Sequence, residues 1–321
     1  DPNSLPHNFT KKLLLDSQGN LWIATKNGLA KYNHLQDNFT NYNKTNSQLN
    51  SNEIFTLALN YDGKLLVSTN ENLYFYDSLA DKFLPMTVDG VNIPADIKVI
   101  YSEQDKTWLG SIGQGIFILE HSSNTLFSLQ ESNPWDLIIE AKFLFDLKII
   151  GDNYWLGTEI GAYKINRDSL QTLILNTQSE PSIVGTRVKS IIQNKDQKIW
   201  MGTENGISIF DTEVNHVFSY NDKNSSSFGL DSSDILSLFI DSNSSIWLGT
   251  YSGGLYRYNA DNSQIKFFQK KSNNSNWLSG DVIWGIGQDS NQKIWVGTQS
   301  KGLNSFELNN YSFTRYLSDF K

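Results

Sequence analysis

The sequence predicts an all-β fold, a seven-bladed β-propeller with four antiparallel strands in each blade. A five-residue motif of the type Ile246-Trp247-Leu248-Gly249-Thr250 occurs seven times with variations, and its copies are 42 to 48 residues apart, which is the period of a propeller blade. Each copy has three further short apolar segments between clusters of Gly, Asn, Asp and Ser, as expected for strands joined by turns. Apolar residues at helical spacing never continue beyond one or two turns. The second residues of the seven copies are Trp22, Leu66, Trp108, Trp155, Trp200, Trp247 and Trp295.

The strands of one repeat are clearest in the second copy. Residues 54–59 form an apolar first strand, and Asp62-Gly63 suits a tight hairpin turn because the pair tolerates positive φ. The predicted second, third and fourth strands are residues 65–69, 73–76 and 83–86. Four strands in each of seven repeats account for the whole propeller.

The repeated motif is predicted to be the second strand of each blade. We interpret its tryptophans as core packing between neighbouring blades, because a buried ring of this size removes roughly 150–250 Å² from solvent. A small residue inside a strand indicates close approach by another backbone or by a bulky ring. The small residues are Ala24, Ser68, Gly110, Gly157, Gly202, Gly249 and Gly297, each followed by Thr or Ser.

The segments on either side of the motif complete the blade. The residues nine and eight positions before the tryptophan are apolar or Gly, which predicts first strands covered on both faces. In the fourth repeat Asp146 falls nine before Trp155, so the hairpin between Leu147 and Tyr154 must differ in length. A Gly follows six or seven residues after the tryptophan and indicates a turn with positive φ; the second repeat has Asn72 there, for which we expect the same conformation.

Composition restricts the function. The 321 residues carry a formal net charge of −8 and contain no Cys, which excludes disulfides, thiolate metal ligands and cysteine nucleophiles. The densest cationic cluster is Lys270-Lys271 with Lys266 nearby, so we expect no nucleic-acid binding. The apolar runs are too short to insert into a membrane. We expect residues 1–321 to form a single propeller domain.

Both ends of the sequence resemble the segments that precede first strands. Residues 5–9 match the lead-in at 49–54, and residues 317–320 look like the start of another lead-in. We therefore expect the chain to be a fragment of a longer protein. All four strands of each blade come from one repeat, so we expect the ring to close by packing of the first and last blades, without a strand exchanged between the termini.

The repeats strongly resemble those of the two-component regulator propeller family. The resemblance rests on a pattern that runs from Asp16 through Trp22, Gly28 and Tyr32, and it extends over all seven units. It implies a periplasmic sensor region of a membrane-bound bacterial protein, either a hybrid histidine kinase or a diguanylate cyclase. It also implies a domain that is not itself an enzyme. Homodimerisation of the full-length protein stays open.

The sequence offers little for catalysis. The histidines His34, His121 and His216 are predicted in separate outer turns, and His7 in a lead-in, so we assign no metal ligand, cofactor or catalytic residue. Glu159 could be paired with the corresponding residue of the next blade as in a glycosidase, although solvated loop residues are the simpler interpretation.

A binding face is easier to predict, because the inter-blade loops and the loops between second and third strands meet on one face of a propeller. Exposed aromatic rings there would stack on the apolar side of a sugar, which favours an oligosaccharide or another small molecule as ligand. For Trp135 and Trp277, packing at the rim is the alternative interpretation. The candidate residues are Trp135, Glu159, Arg187, Glu204, Tyr251, Trp277, Trp284 and Gln299.

Three functions remain open from the sequence. The first is a non-catalytic, ligand-sensing extracytoplasmic domain. The second is an enzyme of the lactonase, lyase or glycosidase type on the same fold, and the third is a dimerisation scaffold without a small-molecule site. The fold alone cannot decide between them.

Overall fold

The computed structural model describes residues 3–88, 93–221, 230, 234–259, 261, 264–270, 276–308 and 310–318. Its 28 strands form seven four-stranded antiparallel sheets, each built from four consecutive strands, and no helix occurs in these ranges. The predicted seven-bladed propeller is confirmed. No helical segment of the described chain is long and apolar enough to cross a membrane.

The four strands of each blade lie in chain order from the axis outward. The first strands of neighbouring blades contact each other all round the ring, so they form the wall of the central channel. The first strands are β1 (Thr10–Leu15), β5 (Ile54–Leu59), β9 (Ile97–Ser102), β13 (Leu144–Ile150), β17 (Val188–Gln193), β21 (Ile235–Ile240) and β25 (Ile283–Gln288). The second strands are β2 (Leu21–Thr25), β6 (Leu65–Thr69), β10 (Lys106–Ser111), β14 (Asn153–Thr158), β18 (Ile199–Thr203), β22 (Ile246–Thr250) and β26 (Ile294–Thr298).

The outer half of each blade completes the sheet, and we number the blades 1 to 7 along the chain. The third strands are β3 (Gly28–Asn33), β7 (Leu73–Asp77), β11 (Ile116–Glu120), β15 (Gly161–Asn166), β19 (Gly206–Asp211), β23 (Leu255–Asn259) and β27 (Leu303–Glu307). The fourth strands are β4 (Asn38–Tyr42), β8 (Lys82–Pro85), β12 (Thr125–Ser128), β16 (Thr172–Leu175), β20 (His216–Tyr220), β24 (Gln264–Phe268) and β28 (Ser312–Tyr316).

The ring closes by packing between blades 7 and 1. Leu13 of β1 and Trp295 of β26 belong to one buried cluster. The Gly302 amide donates to the Asn8 carbonyl over 2.8 Å, and the Tyr316 hydroxyl donates to Asp37 over 2.9 Å. No strand is exchanged between the ends, because all four strands of blade 1 and of blade 7 come from their own repeats. The predicted mode of closure is confirmed.

The motif tryptophans are buried, as predicted, but the sequence analysis missed the aspartate partner that Trp22, Trp247 and Trp295 have in the turn before the motif. Trp22 donates its indole N–H to Asp16 over 2.8 Å, and Trp247 donates to Asp241 over 2.8 Å. The other oxygen of Asp241 accepts two amides of the turn between the first two strands. One carboxylate therefore orders the turn and satisfies the indole, which a buried Trp requires.

The small residue of the motif accommodates the next blade, and the tryptophan is not what approaches it. A Cβ at Gly110 would lie 2.4 Å from the Leu144 Cβ, and one at Gly157 would lie 2.4 Å from the Val188 carbonyl oxygen. Leu144 and Val188 each begin the first strand of the following blade. The small side chain is therefore a requirement of blade-to-blade packing.

The turn after the motif confirms the glycine prediction in six blades and corrects it in one. Gly28 has a φ of 122°, and in the sixth blade the equivalent residue is Gly254, with a φ of 79°. Asn72 in blade 2 does not have positive φ, so the expected equivalence of Asn and Gly is wrong there. The Thr25 hydroxyl donates to the Gly28 carbonyl over 2.6 Å, which explains the hydroxyl residue at the end of the motif.

Two hairpins differ in length from the others. In blade 4 the turn between β13 and β14 consists of Gly151 and Asp152 alone, which confirms the predicted difference. In blade 3 Trp108 pairs with Tyr101, seven residues earlier, whereas Trp22 pairs with Leu14, eight residues earlier. The offset assumed from the sequence for blade 3 is therefore wrong by one residue.

Candidate functional site

Every first strand contains a β-bulge at the same position, one residue after its start. At each bulge the pairing with the second strand skips one residue. A bulge leaves the extra residue out of the ladder and redirects its side chain. We call these seven residues the bulge ring: Lys11, Phe55, Lys98, Phe145, Lys189, Leu236 and Trp284.

All seven residues of the bulge ring line one cavity of about 380 Å³. Because the cavity wall includes the first strand of every blade, the cavity lies on the propeller axis. Ile112, from the loop between the second and third strands of blade 3, also contributes. The cavity is therefore the mouth of the central channel on the loop-bearing face. Its volume falls within the range of roughly 300–1,000 Å³ for small-molecule sites.

The channel mouth is strongly cationic, although the protein as a whole is acidic. Five lysines and a single carboxylate, Asp146, line it. The lysines come from blades 1, 3, 4 and 5, so they are remote in sequence. An enclosed patch of one sign within low-dielectric walls concentrates the field and attracts ions of opposite charge. The five lysines are Lys11, Lys12, Lys98, Lys148 and Lys189.

Three of these lysines have carboxylate partners. Lys11 contacts Glu53 at 2.8 Å, Lys148 contacts Asp146 at 3.2 Å, and Lys189 donates to Asp234. Lys12 and Lys98 differ, because no carboxylate of the described residues lies within 4.0 Å of either ammonium.

Lys98 instead contacts an aromatic ring. Its Nζ lies 3.3 Å from the centroid of the Phe55 ring, and the Nζ of Lys11 lies 4.2 Å from the same centroid. Cation–π attraction at this distance is favourable. The ammonium groups of Lys11 and Lys98 thus share the Phe55 ring, and Glu53 accepts a hydrogen bond from Lys11.

The pKa values of Lys98 and Lys12 are lowered, which shows that this arrangement disfavours their charged forms. Burial lowers the pKa of Lys98 to about 8, and the charge of Lys11 lowers it further against the opposing effects of Glu53 and Asp96. Lys12 lines the open bore, but protein surrounds that bore, and the resulting burial lowers the pKa of Lys12. The charge of Lys148 acts in the same direction. Both shifts mean that the charged form lacks full compensation.

The rest of the mouth is apolar and aromatic. The ring of Trp284 lies 6.1 Å from that of Phe9, and Phe145 stacks on Phe143 with the ring centroids 6.2 Å apart. Trp284 remains 39% exposed, so a face of its indole is open to a ligand. The mouth thus combines ammonium groups with flat apolar surfaces.

Below the bulge ring, polar side chains join neighbouring blades. Asp146 of blade 4 accepts the Ile191 amide of blade 5 over 2.8 Å. Ser190 of blade 5 accepts the Leu238 amide of blade 6 over 3.1 Å. These bonds hold adjacent first strands in a defined register, so the floor of the site is preorganised by groups that are already satisfied.

Of the eight residues predicted from the sequence, only Trp284 lines the channel mouth. The two glutamates have a structural task. Glu159 accepts the amides of Lys142 at 2.6 Å and Phe143 at 3.0 Å, just before β13. Glu204 accepts those of Thr186 at 3.0 Å and Arg187 at 2.8 Å, just before β17.

Each glutamate therefore anchors the start of its own first strand. Burial acts to raise the pKa of Glu204, but the amide hydrogen bonds led by Arg187 outweigh it, so its pKa is lowered. A general acid at neutral pH requires a raised pKa. Arg187 contacts Glu204 through its backbone amide and not through its guanidinium.

Tyr251 and Gln299 occupy the loop position equivalent to Ile112. Their backbone amides donate to the carbonyls of Asp234 and Val282 at 2.9 and 3.1 Å. Tyr251 is 52% exposed. Both residues therefore begin the loops beside the mouth, without being among the side chains that line it.

Trp135 and Trp277 lie at the outer rim, so the prediction that they share a site with the inner loops is wrong. Trp135 packs edge-on against Phe127 of β12, with the ring centroids 5.4 Å apart. Trp277 lines a separate cleft of about 610 Å³ with residues such as Phe267 and Tyr311. Inter-blade loops begin at outermost strands, which explains why these tryptophans remain far from the axis.

His34 and His121 lie in separate outer turns, as predicted, whereas His216 is the first residue of β20 and not part of the turn before it. His34 faces Asp289 at 3.9 Å across the seam between blades 1 and 7, and His121 contacts Thr107 at 2.9 Å. Within the described ranges, no three His, Asp or Glu side chains are grouped so that they could hold a metal ion.

The cationic cluster predicted from the sequence is not the main one. Lys266 donates to the Tyr311 hydroxyl over 2.8 Å at the outer rim, and Lys271 lies outside the described residues. The channel lysines were missed because they are dispersed along the chain. Aligning the seven repeats on the second residue of the first strand would have placed Lys11, Lys98 and Lys189 in one column.

The chain is similar to bacterial signalling proteins. It is 26% identical over 197 residues to "Histidine kinase P4" of Formosa agariphila, and the match covers 57% of this chain and 14% of that protein. Its fold resembles the extracellular domains of two hybrid two-component systems of B. thetaiotaomicron, each with a TM-score of 0.76. The identities are 20% and 21%, and the matches cover 94% and 100% of this chain.

The chain spans 40% of each of those solved structures and a much smaller share of the kinase. At these identities the structural likeness establishes the fold. The sequence evidence for the family comes from two segments, residues 4–27 and 229–252, which match the family described as "Two component regulator propeller". Two segments of this seven-bladed propeller thus match the two-component regulator propeller family.

Proposed function

We propose that this chain is a non-catalytic, ligand-sensing extracytoplasmic domain of a bacterial signal-transduction protein. It binds a small molecule at the channel mouth and passes the binding energy to an output region elsewhere in the parent protein. The observation that carries the proposal is the bulge ring, which places seven side chains of four different types around one cavity at equivalent backbone positions.

A purely structural role does not account for these side chains. The motif positions of the second strands have nearly the same residue in every blade because they all solve the same packing problem. Bulge positions range from Lys98 to Trp284 under the same backbone geometry. A half-buried ammonium without a carboxylate partner, as at Lys98, is costly, and an apolar residue would serve packing better. Residues kept at such a cost are expected at binding sites.

The second function, an enzyme, has less support. The paired carboxylates it would use, Glu159 and Glu204, are engaged with backbone amides. The lowered pKa of Glu204 suits a permanently charged anchor and does not suit a proton donor. The named similarity to a histidine kinase and to extracellular domains supports a parent signalling protein whose propeller lies outside the cytoplasm, in the periplasm.

The test is a thermal-shift screen of the purified chain against oligosaccharides, repeated with two variants. Trp284→Ala removes an aromatic face of the channel mouth, and Trp277→Ala is the matched control at the outer rim. A ligand at about 100 times its Kd should stabilise the wild type by about 2.7 kcal/mol. We expect this stabilisation to be lost in Trp284→Ala and retained in Trp277→Ala. Robust turnover of a ligand, or stabilisation that depends only on Trp277, would contradict the proposal.

A further inference from the structure

We propose that the channel mouth recognises the anionic group of a small ring-bearing ligand, a carboxylate or a sulfate ester, through the ammonium groups of Lys98 and Lys12. The inference rests on the proposed function and adds to it the charge of the ligand and the residues that select it. No property of the overall composition suggests it, because the protein carries a net charge of −8.

The first step of the argument is the geometry at Phe55. The ammonium groups of Lys11 and Lys98 lie 4.2 and 3.3 Å from the centroid of its ring, and Glu53 bonds only to Lys11. Lys98 therefore holds its charge at the mouth with an aromatic ring as its nearest partner. An anion placed beside Phe55 would complete the coordination of Lys98 without breaking an existing ion pair.

A second ammonium group without a carboxylate partner belongs to Lys12, the residue after the bulge in first strand β1. The nearest charged neighbours of Lys12 include Lys148 and Asp146. Asp146 already bonds to Lys148 and to the amide of Ile191. The ammonium groups that line the cavity thus outnumber its carboxylates even after the internal pairs are formed. A cationic ligand would be repelled, and a neutral one would leave both ammonium groups uncompensated.

The third step concerns the remainder of the ligand. Interspersed with the lysines around the ring, Phe145, Leu236 and Trp284 form the apolar part of the wall, and Phe9 lies beside the indole. These surfaces suit the flat apolar face of a ring and cannot satisfy a purely inorganic ion. A volume of about 380 Å³ suits a ligand of one or two sugar rings or of comparable size.

The experiment compares D-glucuronate with D-glucose, which differ by one carboxylate, and uses inorganic sulfate as a ring-free anion. Calorimetric titration is combined with the NMR signal of the Trp284 indole N–H, which reports binding in the mouth. We expect glucuronate to bind at least about tenfold more tightly than glucose, as a charge-assisted hydrogen bond implies. Sulfate should bind more weakly than glucuronate and compete with it.

The matched variants are Lys98→Met and Lys266→Met, because Lys266 lies at the outer rim and takes no part in the site. We expect Lys98→Met to remove most of the preference for glucuronate over glucose, and Lys266→Met to leave it unchanged. Lys98→Met should also raise the melting temperature of the ligand-free protein, because it removes a partly desolvated ammonium that is repelled by Lys11 on the same ring. This second readout shows that the variant is folded.

The outcomes separate this inference from the proposed function. If glucose binds as tightly as glucuronate and shifts the Trp284 signal, the mouth is a ligand site but the anion inference is wrong. If glucuronate and sulfate both leave the Trp284 signal and the melting temperature unchanged, the anion inference is also wrong. If neither these probes nor any oligosaccharide of the thermal-shift screen binds at the mouth, the proposed function itself is contradicted.

Discussion

The second strands and the bulge ring belong to the same repeats, yet the residues of the second strands are nearly the same in every blade and those of the bulge ring differ. In the second strand, Trp247 and its equivalents are almost fully buried, and one solution to blade packing recurs around the ring. In the first strand, the bulge position carries Lys in three blades and an aromatic or aliphatic residue in four. Repetition in this protein therefore reflects packing, and variation at a repeated position reflects the site.

The largest test of this comparison exchanges one Trp of each kind for Ala. Trp247→Ala removes a ring that is 0% exposed and the partner of Asp241, so we expect it to lower the free energy of unfolding by about 3–5 kcal/mol. Trp284→Ala, at 39% exposure, should cost much less. Urea unfolding followed by circular dichroism measures both. Equal losses would mean that the bulge ring is part of the packing core.

A second test adds a single methyl group at a seam between blades. Gly157→Ala would place its Cβ 2.4 Å from the carbonyl oxygen of Val188 in the next blade, and we expect a loss of about 1–3 kcal/mol. Gly285→Ala is the control in the channel wall, where the nearest atom is the end of the Leu13 side chain at 3.2 Å. Gly157→Ala should lower the midpoint of urea unfolding, relative to the wild type, by more than Gly285→Ala does. The packing interpretation fails if the two variants are equally stable.

The third prediction concerns pH at the channel mouth. Because burial lowers the pKa of Lys98 to about 8, with Lys11 adding to the shift and Glu53 and Asp96 opposing it, Lys98 loses its proton between pH 7 and 9. Affinity for glucuronate should therefore fall as the pH rises, by up to about tenfold for full loss of this charge. Calorimetry at pH 7 and 9 measures the change. Lys98→Met should flatten the profile, and a profile that rises with pH would contradict the assignment.

The smallest effect is expected at the turns that hold the tryptophans. Burial acts to raise the pKa of Asp16, but hydrogen bonds from Trp22 and Asn20 outweigh it, so the folded-state pKa is lowered. A carboxylate of this kind stabilises the fold above its unfolded pKa of about 3.9. That stability is lost as the pH falls through the folded value.

We expect Asp16→Asn to weaken the acid dependence by at most about 1 kcal/mol, since solvent screens a partly exposed group. Urea midpoints at pH 6 and pH 3 give the comparison. Asp62→Asn, on an exposed turn of blade 2, is the control. An unchanged acid dependence in Asp16→Asn would show that the charge at this turn does not contribute.

Much of the fold was predictable because each rule was repeated seven times. The period indicated the number of blades, and the bounds predicted for the first two strands of blade 2 match those of β5 and β6. Predictions based on a single residue were weaker. Asn72 does not adopt the conformation of the glycines it replaces, and the hairpin of blade 3 is one residue shorter than assumed.

The candidate site was predicted only in part. The sequence analysis selected aromatic residues and loop carboxylates by residue type, and of its eight candidates only Trp284 lines the channel mouth. It could not tell that Trp284 of β25 faces the channel whereas Trp277 lies at the outer rim. It also gave no reason to connect Lys11 with Lys189, because no local pattern relates them.

By itself, the sequence determined the propeller, its seven blades, the order of strands and the packing role of the motif, because these depend on local patterns and on their period. Only the tertiary structure decided where the site lies. A β-bulge is a property of the register between two strands, so it is visible only once they pair. Closing the ring then brings seven bulges onto one axis, and lysines that lie far apart in sequence become a single cationic mouth.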